Sequence, residues 1–323
     1  MSIGRVQINI FVLLCFIISL SISISSRHCH ADSFEHNGQI SVWGACNDNI
    51  DGKSGVRYIP EITVSKNLNK ELTIDAEVSL ELKDNAGAEF YRSWIRLSGN
   101  QYEARVGLQR INFGPARILH SLQWFDQIDP RDPLELTDGV YALLGRYYFL
   151  NNSNIWTWAM DARKPEFGGR YQFPAPKGEI AFTYHHGRVA SMDDDSENRY
   201  AIDGSFDLGI GLWSEAILNK KYLTVGADYT FDTGPGVHVL GEHSIKSAGH
   251  TTSAISVDFS TGVLDTITAI GYFDWQKDNF YPNVSWQRAY DKWLTNVTVF
   301  HNSSDTDNVY SGTGALCTVA YNY

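Results

Sequence analysis

The chain has 323 residues, with 26 basic and 37 acidic side chains and a formal net charge of −11 at pH 7. This acidic balance argues against nucleic acid as a partner, because nucleic-acid binding needs a basic face. The aromatic content is high, with 9 Trp, 17 Tyr and 16 Phe. Only two of the four cysteines lie beyond the first 31 residues, which excludes a disulfide-rich scaffold.

Residues 1–31 have the pattern of a signal peptide. Arg5 supplies a positive start, Ile8 to Leu20 is apolar, and Ala31 is a small residue suited to cleavage. The apolar run is short for a permanent span, although an uncleaved anchor is the alternative. We therefore expect a mature chain of residues 32–323, in which no segment reaches the length of a transmembrane helix.

Apolar and polar residues alternate strictly between Leu72 and Lys83, which predicts a half-buried strand. A second alternating run follows the turn at Ala86-Gly87, with Tyr91, Ser93, Ile95 and Leu97 on one face and Phe90, Arg92, Trp94 and Arg96 on the other. Pairing about that turn sets Glu81 opposite Arg92 and Glu77 opposite Arg96. One register then satisfies the apolar and the charged face together.

A third strand follows the turn at Gly99-Asn100, which pairs Arg96 with Glu103 and sets Arg105 opposite Trp94. In a membrane barrel the charged face would line a wet lumen, whereas in a soluble β-sandwich it would face bulk water. We expect most of its opposite charges to neutralise one another, with solute contact by the arginines as the alternative. The predicted pore-lining residues are Asp75, Glu77, Glu81, Arg92, Arg96, Glu103 and Arg105.

Residues 111–138 form the longest break in the alternation. Ile118, Leu122 and Phe125 fall at helical spacing, which favours a short amphipathic helix before the Asp-Pro pairs at 129–130 and 132–133. A long apolar loop at the mouth of a barrel is expected to fold into the lumen, since charged rings there set selectivity. The predicted constriction residues are Asp126, Asp129, Arg131, Asp132 and Glu135, and a cap packed on the rim is the alternative.

The next two strands flank the short turn at 151–154, and pairing about it sets Phe149 opposite Trp156 and Tyr147 opposite Trp158. Aromatic residues beside a tight turn are typical of the membrane–water interface, although cross-strand packing in a core is an alternative. Further alternating runs bring the count to about eighteen strands, with sixteen or fourteen as alternatives. The predicted fold is all-β, a single transmembrane antiparallel β-barrel with both ends on the periplasmic side.

The last residues, Ala315 to Tyr323, alternate apolar side chains and end on an aromatic residue. Bacterial outer-membrane barrels commonly end with such a strand. Barrel closure pairs the first strand with the last, which brings Cys46 and Cys317 to neighbouring outward positions. The sequence permits a disulfide between them or two unpaired thiols.

The run Gly107-Leu108-Gln109-Arg110-Ile111-Asn112-Phe113-Gly114, followed by Phe125-Asp126 and Asp129-Pro130, resembles outer-membrane porins of the alginate-export and related porin-like families. In those barrels a strand ending in this motif precedes a long loop. The resemblance implies a channel. An alginate exporter is expected to have a strongly basic lumen, which contrasts with the acidic composition here.

These patterns predict an outer-membrane porin-like channel for passive diffusion of small polar solutes or ions. A loop-displaying adhesin or scaffold is the alternative, and an outer-membrane hydrolase using His185 or His186 with Ser191 is a further one. No known hydrolase motif is present, so we expect no catalysis and neither cofactor nor metal. The expected partners are outer-membrane lipid, lipopolysaccharide and the solutes, with no nucleic acid and with a homo-oligomer as an alternative to a monomer.

Overall fold

A computed structural model describes residues 33–84, 87–125, 128–160, 165–189, 192–302 and 309–323. The predicted signal peptide at 1–31 and the predicted constriction residue Asp126 lie outside these ranges. The described residues form a single closed sheet of eighteen antiparallel strands. The predicted all-β barrel is therefore confirmed, at the upper of the predicted strand counts.

Each strand pairs with its neighbours in the chain, and the first pairs with the last. The strands are β1 (Ser33–Asn47), β2 (Ile50–Asn67), β3 (Thr73–Lys83), β4 (Gly87–Ser98), β5 (Tyr102–Gln109), β6 (Val140–Tyr148), β7 (Asn154–Met160), β8 (Glu166–Ala175), β9 (Gly178–Val189), β10 (Met192–Asp207), β11 (Gly211–Ile217), β12 (Tyr222–Phe231), β13 (Val237–Ile245), β14 (Thr251–Ser260), β15 (Asp265–Asp274), β16 (Asn279–Tyr290), β17 (Trp293–Asn302) and β18 (Gly312–Asn322).

Closure sets Ile40 of β1 opposite Tyr321 of β18 and Val42 opposite Val319. The barrel end where β1 begins and β18 ends is called the terminal rim below. The opposite end, where β5 leads into the long segment 110–139, is called the loop rim. A closed barrel leaves no strand edge unpaired, which a lipid environment requires.

The outer face is apolar and the inner face is polar. Ile95 and Val106 are 55% and 53% exposed on the outside, whereas Ser41 and Glu215 are almost fully buried on the inside. Aromatic side chains lie on the outer face near each rim, as the bilayer interfaces favour. Those near the terminal rim include Tyr102, Tyr147, Phe149, Tyr171, Tyr229, Phe231 and Trp293, and those near the loop rim include Phe90, Tyr141, Phe167, Trp275 and Phe280.

The register of the first predicted hairpins is wrong by two residues. Arg96 lies opposite Asp75 instead of Glu77, and Arg105 lies opposite Arg96 instead of Trp94. Glu103 accordingly pairs with Ser98. A shift by two leaves side chains on the same face, because successive side chains alternate with period two.

Phe90 lies on the outer face of the barrel and not on the predicted inner face, because β4 contains a β-bulge. Arg92 pairs with Ser79 and Phe90 pairs with Leu80, so Tyr91 is an extra residue without a partner across the strand pair. The extra residue turns Phe90 to the outside, where it is 56% exposed. The alternation in the sequence does not reveal such an insertion.

The predicted pairing around the turn at 151–154 is wrong by three residues. Trp156 lies opposite Arg146, and Trp158 lies opposite Leu144. The turn centres on Asn151, whose side chain accepts the N–H of Ser153, so β6 ends at Tyr148 and β7 begins at Asn154. A shift of the pairing by an odd number of residues moves side chains to the opposite face of the sheet. The indoles of Trp156 and Trp158 therefore point into the barrel.

Cys46 lies opposite Ala315, and Cys317 lies opposite Gly44. Both thiols are free and exposed on the outer face. Diagonal neighbours in a sheet are about 7–8 Å apart, beyond the roughly 4.4–6.8 Å between Cα atoms that a disulfide spans. The predicted bridge is not formed in this arrangement.

Segment 110–139 contains no helix in its described part, so the predicted amphipathic helix is wrong. The backbone N–H groups that would form helical hydrogen bonds are bonded to wall carboxylates instead, as described below. Elsewhere, the described residues include a single short 3-10 turn, Ser247–Gly249. Among all of them, no helix has the length and apolar character needed to cross a bilayer.

Candidate functional site: a lumen crossed by an inner loop

The wall formed by β2 to β5 carries several ion pairs that face the lumen. Arg96 binds Asp75 at 2.9 Å, and Arg105 binds Glu103 at 2.9 Å. Glu81 forms a separate ion pair with Arg57 at 2.9 Å. Two of these ion pairs join predicted pore-lining residues, although Glu103 binds Arg105, two positions along its own strand, and not Arg96.

Arg92 holds the long loop instead of lining open space. Its guanidinium is buried and donates to the carbonyl oxygen and the hydroxyl of Thr137 at 3.0 and 2.8 Å. Glu77 lies on the same inner face as Asp75, opposite Trp94. The indole of Trp94 also packs under Arg105, whose guanidinium carbon is 4.6 Å from the ring centroid.

The loop is attached to the opposite wall by Glu215 of β11. This carboxylate is buried and accepts the backbone N–H groups of Ala116, Ser121 and Leu122 at 2.8–3.1 Å. Gly114 packs directly beneath the same carboxylate with a φ of +97°, where a Cβ atom would collide with it. A glycine is required there because both the space and the backbone conformation exclude other side chains.

Glu242 of β13 makes a second attachment of the same kind. It accepts the N–H groups of Arg117, Ile118 and Leu119 at 2.5–3.0 Å, together with the indole N–H of Trp213 at 2.8 Å. Together the two glutamates satisfy six backbone donors of an irregular segment. Such donors would be costly if buried without acceptors.

An aromatic cluster fills the space between the loop and β6 to β12. Phe113 stacks on Trp158 with ring centroids 5.6 Å apart, and Phe125 meets His185 edge to face at 5.0 Å. Trp158 donates to Nδ1 of His185 at 3.2 Å. Ile111, Leu122 and Leu144 are fully buried in this cluster, so the loop packs against the wall formed by β6 to β12.

The rest of the loop borders the open part of the lumen. Arg131 forms a bidentate pair with Asp129 at 2.8 and 2.9 Å, its carbonyl oxygen accepts the hydroxyl of Tyr310 at 3.2 Å, and its guanidinium stacks on that ring. Asp132 accepts the N–H of Leu134 and so stabilises the turn. Glu135 has a φ of +47° at the end of this turn.

Two cavities flank this part of the loop. One of about 520 Å³ lies between the loop and the inner face of β13 to β17, and Arg131, Asp132 and Glu135 line it. The other, of about 700 Å³, extends toward the loop rim and is lined by Asp129 and Arg131. Ile118, Ile128, Pro130 and Arg131 line both, which places these residues at the narrow region between the two spaces.

His120 also lines the smaller cavity. Burial lowers its pKa below the usual 6.5, and the nearby Glu242 carboxylate only partly offsets this effect. The imidazole is therefore neutral at pH 7. Among the described residues, no group of His, Cys, Asp and Glu side chains is arranged to hold a metal ion.

Sequence reasoning missed the two residues that position the loop, Glu215 and Glu242. Each is an acidic side chain on the inner face of a strand, which the alternation alone places in a wet lumen. Their partners are backbone groups about 100 residues earlier in the chain, and no pattern in the sequence encodes such contacts. Of the predicted constriction residues, Arg131, Asp132 and Glu135 line the smaller cavity, and Asp129 and Arg131 line the larger one.

No protein-family model matches the chain, and no curated protein matches it. Among solved structures it is similar to engineered variants of the porin of Rhodopseudomonas blastica. Three triple mutants give TM-scores of 0.57, 0.56 and 0.53 at 12%, 13% and 12% identity. Each comparison covers 90% of this chain and 100% of the porin chain.

The chain has the fold of a porin barrel. The expected resemblance is thus confirmed at the level of the porin-like barrel fold, and these comparisons give no support to the alginate-export families in particular. At 12–13% identity the likeness is one of architecture, and the solute must be argued from the lumen of this chain.

Proposed function

We propose that the protein is an outer-membrane channel for the passive diffusion of small polar solutes or ions. The observation that carries this proposal is the pair of cavities on either side of the loop, inside a barrel with an apolar exterior. Lipid would contact the outer face, and water would fill the polar interior. A loop held by side chains from both walls would narrow the passage without closing it.

Alginate is a less suitable solute than a small polar molecule. The resemblance of the Gly107–Gly114 run to alginate-export families makes this polyanion a candidate. However, the arginines of the lumen wall bind neighbouring carboxylates, and Asp132, Glu135 and Asp258 line the smaller cavity. A polyanion would be repelled there, so we propose small solutes instead.

The alternative functions have less support. A display scaffold would present its long loop to the outside, whereas segment 110–139 is bonded to the inner wall through Glu215 and Glu242. For a hydrolase, His185 is buried against Trp124, Phe125 and Trp158, which leaves no room for a substrate. We therefore propose that the protein is not an enzyme.

Three further proposals concern the signal peptide, the contact with lipid and the oligomeric state. We propose that residues 1–31 are removed on export, and mass spectrometry of the protein from the outer-membrane fraction would test the cleavage site. The aromatic rows near the two rims would meet the lipid and lipopolysaccharide headgroups. Light scattering of the protein in detergent would distinguish a monomer from a homo-oligomer.

The channel proposal is tested by recording from the refolded protein in a planar lipid bilayer. Discrete current steps are expected, and heat-denatured protein serves as the control. Replacing Arg131 with Ala should increase the conductance, because this side chain borders both cavities, whereas Arg57→Ala on β2, which lines neither cavity, should change it little. Folded protein that inserts and carries no current would refute the proposal.

A further inference from the structure

The wall of the smaller cavity opposite the loop is polar but largely uncharged. Strands β14 to β17 point amide and hydroxyl side chains into this space. Such groups offer both donors and acceptors, whereas a carboxylate only accepts and a guanidinium only donates. The side chains are Ser256, Thr268, Asn283, Ser285, Gln287 and Asn296.

Most charged groups near this cavity are already paired within the protein. Arg131 is bound by Asp129 in a bidentate pair. Asp258 accepts from the hydroxyl of Thr268 at 2.6 Å and lies 3.2 Å from Nδ1 of His238. The hydrogen-bonding capacity left for a solute therefore lies mainly in the amides and hydroxyls of the wall.

Asn283, in the wall of this cavity, has a buried amide nitrogen without a hydrogen-bond partner among the described residues. Its side chain lines the cavity and is only 5% exposed. Its Nδ2 group has no hydrogen-bond acceptor among the residues that the structure describes. Buried polar groups nearly always have partners, so an acceptor from a solute or from water is expected at this position.

We propose that this cavity binds uncharged polyhydroxylated solutes, the class of sugars and polyols, as they pass through the lumen. The inference rests on the proposed channel function and names its solute class. Each solute hydroxyl both donates and accepts, which matches the mixed wall around Asn283. A volume of about 520 Å³ accommodates a molecule of the size of a hexose.

The adjoining cavity provides a second kind of contact for the same class. Tyr272 and Tyr281 lie opposite each other across β15 and β16, and both line this space. Aromatic rings present an apolar surface with a polar tip. They can pack against the C–H face of a sugar ring while Thr252 and Asn302 bond to its hydroxyls.

The test compares glucose with gluconate, which has the same carbon chain and carries a carboxylate. Glucose is added to an open channel in a planar bilayer, and saturation-transfer NMR measures its binding to the folded protein in detergent. We expect a saturable reduction of the current and an NMR signal, with gluconate binding at least tenfold more weakly. Asn283→Leu, which keeps the volume, should weaken glucose binding about tenfold, and the rim variant Gln172→Leu should leave it unchanged.

A glucose effect that grows linearly without saturation, or one that is equal in wild type and Asn283→Leu, would overturn the inference. Binding by NMR without any current would support the site while refuting the channel. Current without binding would refute the site alone. If Asn283→Leu does not fold, as judged by heat-modifiable mobility on a gel, Ser285→Ala replaces it and should weaken binding severalfold.

Discussion

Glu215 is the residue on which the position of the inner loop depends most directly. Its carboxylate accepts N–H groups from Ala116, Ser121 and Leu122, and Gln has only one oxygen to replace two. We expect Glu215→Gln to lower the free energy of unfolding by about 1–3 kcal/mol and to make the open-channel current noisier. Urea titration and single-channel recording would measure both, and Glu179→Gln at the terminal rim is the control. An unchanged urea midpoint would show that the loop is held by its aromatic contacts.

The pair formed by Arg170 and Asp203 makes a second prediction at the residue scale. Both side chains are about 95% buried and make two bonds at 2.6 and 2.8 Å. Arg170→Met should destabilise the barrel by roughly 3–5 kcal/mol, because it leaves a buried charge without a partner. The double variant Arg170→Met with Asp203→Leu should be more stable than that single variant. A double-mutant cycle in urea would contradict this expectation if the two losses simply add.

At the scale of elements, alternation predicted the strands well but not their registers. The period of two fixes which side chains share a face, so the two-residue error around Asp75 and Arg96 changed partners only. The three-residue error at the turn near Asn151 exchanged the faces of Trp156 and Trp158. Turn length decides the register, and a local side-chain bond such as that of Asn151 decides turn length.

The loop was recognisable as a break in the pattern, and four of its predicted charged residues line the two cavities. Its conformation was not predictable, because apolar residues at helical spacing indicate one buried face and do not exclude an irregular chain. Glu215 and Glu242 compete for the backbone N–H groups that a helix would use internally. The long-range partner decides between the two conformations, and it lies about 100 residues away in the sequence.

The pairing of Asp129 with Arg131 gives a pH prediction for the loop. Burial alone would raise the pKa of Asp129, but hydrogen bonds from Arg131 and its positive charge lower it below the usual 3.8. A lowered folded-state pKa means that the pair stabilises the loop at pH values above 3.8 and ceases to do so as the pH falls through the lowered value. The difference in current noise between wild type and Asp129→Asn should therefore be full at pH 7 and at about pH 5, and should be lost only as the pH falls below 3.8. A difference already lost at pH 5 would contradict this assignment.

At the scale of the whole molecule, the distribution of charge is uneven around the barrel. The inner arginines that bind carboxylates lie on β2 to β10, including Arg57, Arg96, Arg105 and Arg170. The described inner face of β13 to β17 carries no arginine at the smaller cavity. The aromatic cluster packs the loop against β6 to β12, whereas the cavity beside β13 to β17 has arginines only on its loop side, Arg117 and Arg131.

This arrangement predicts weak cation selectivity. The formally charged side chains that line the smaller cavity are Arg117, Arg131, Asp132, Glu135 and Asp258, which leaves one negative charge in excess when the histidines are neutral. A reversal potential measured across a KCl gradient should favour K⁺ by roughly 2- to 5-fold at 0.1 M and much less at 1 M, where screening is stronger. Glu135→Gln should bring the ratio close to one, and Glu71→Gln at the terminal rim should not. Anion selectivity in the wild type would mean that ions pass along the arginine-bearing wall instead.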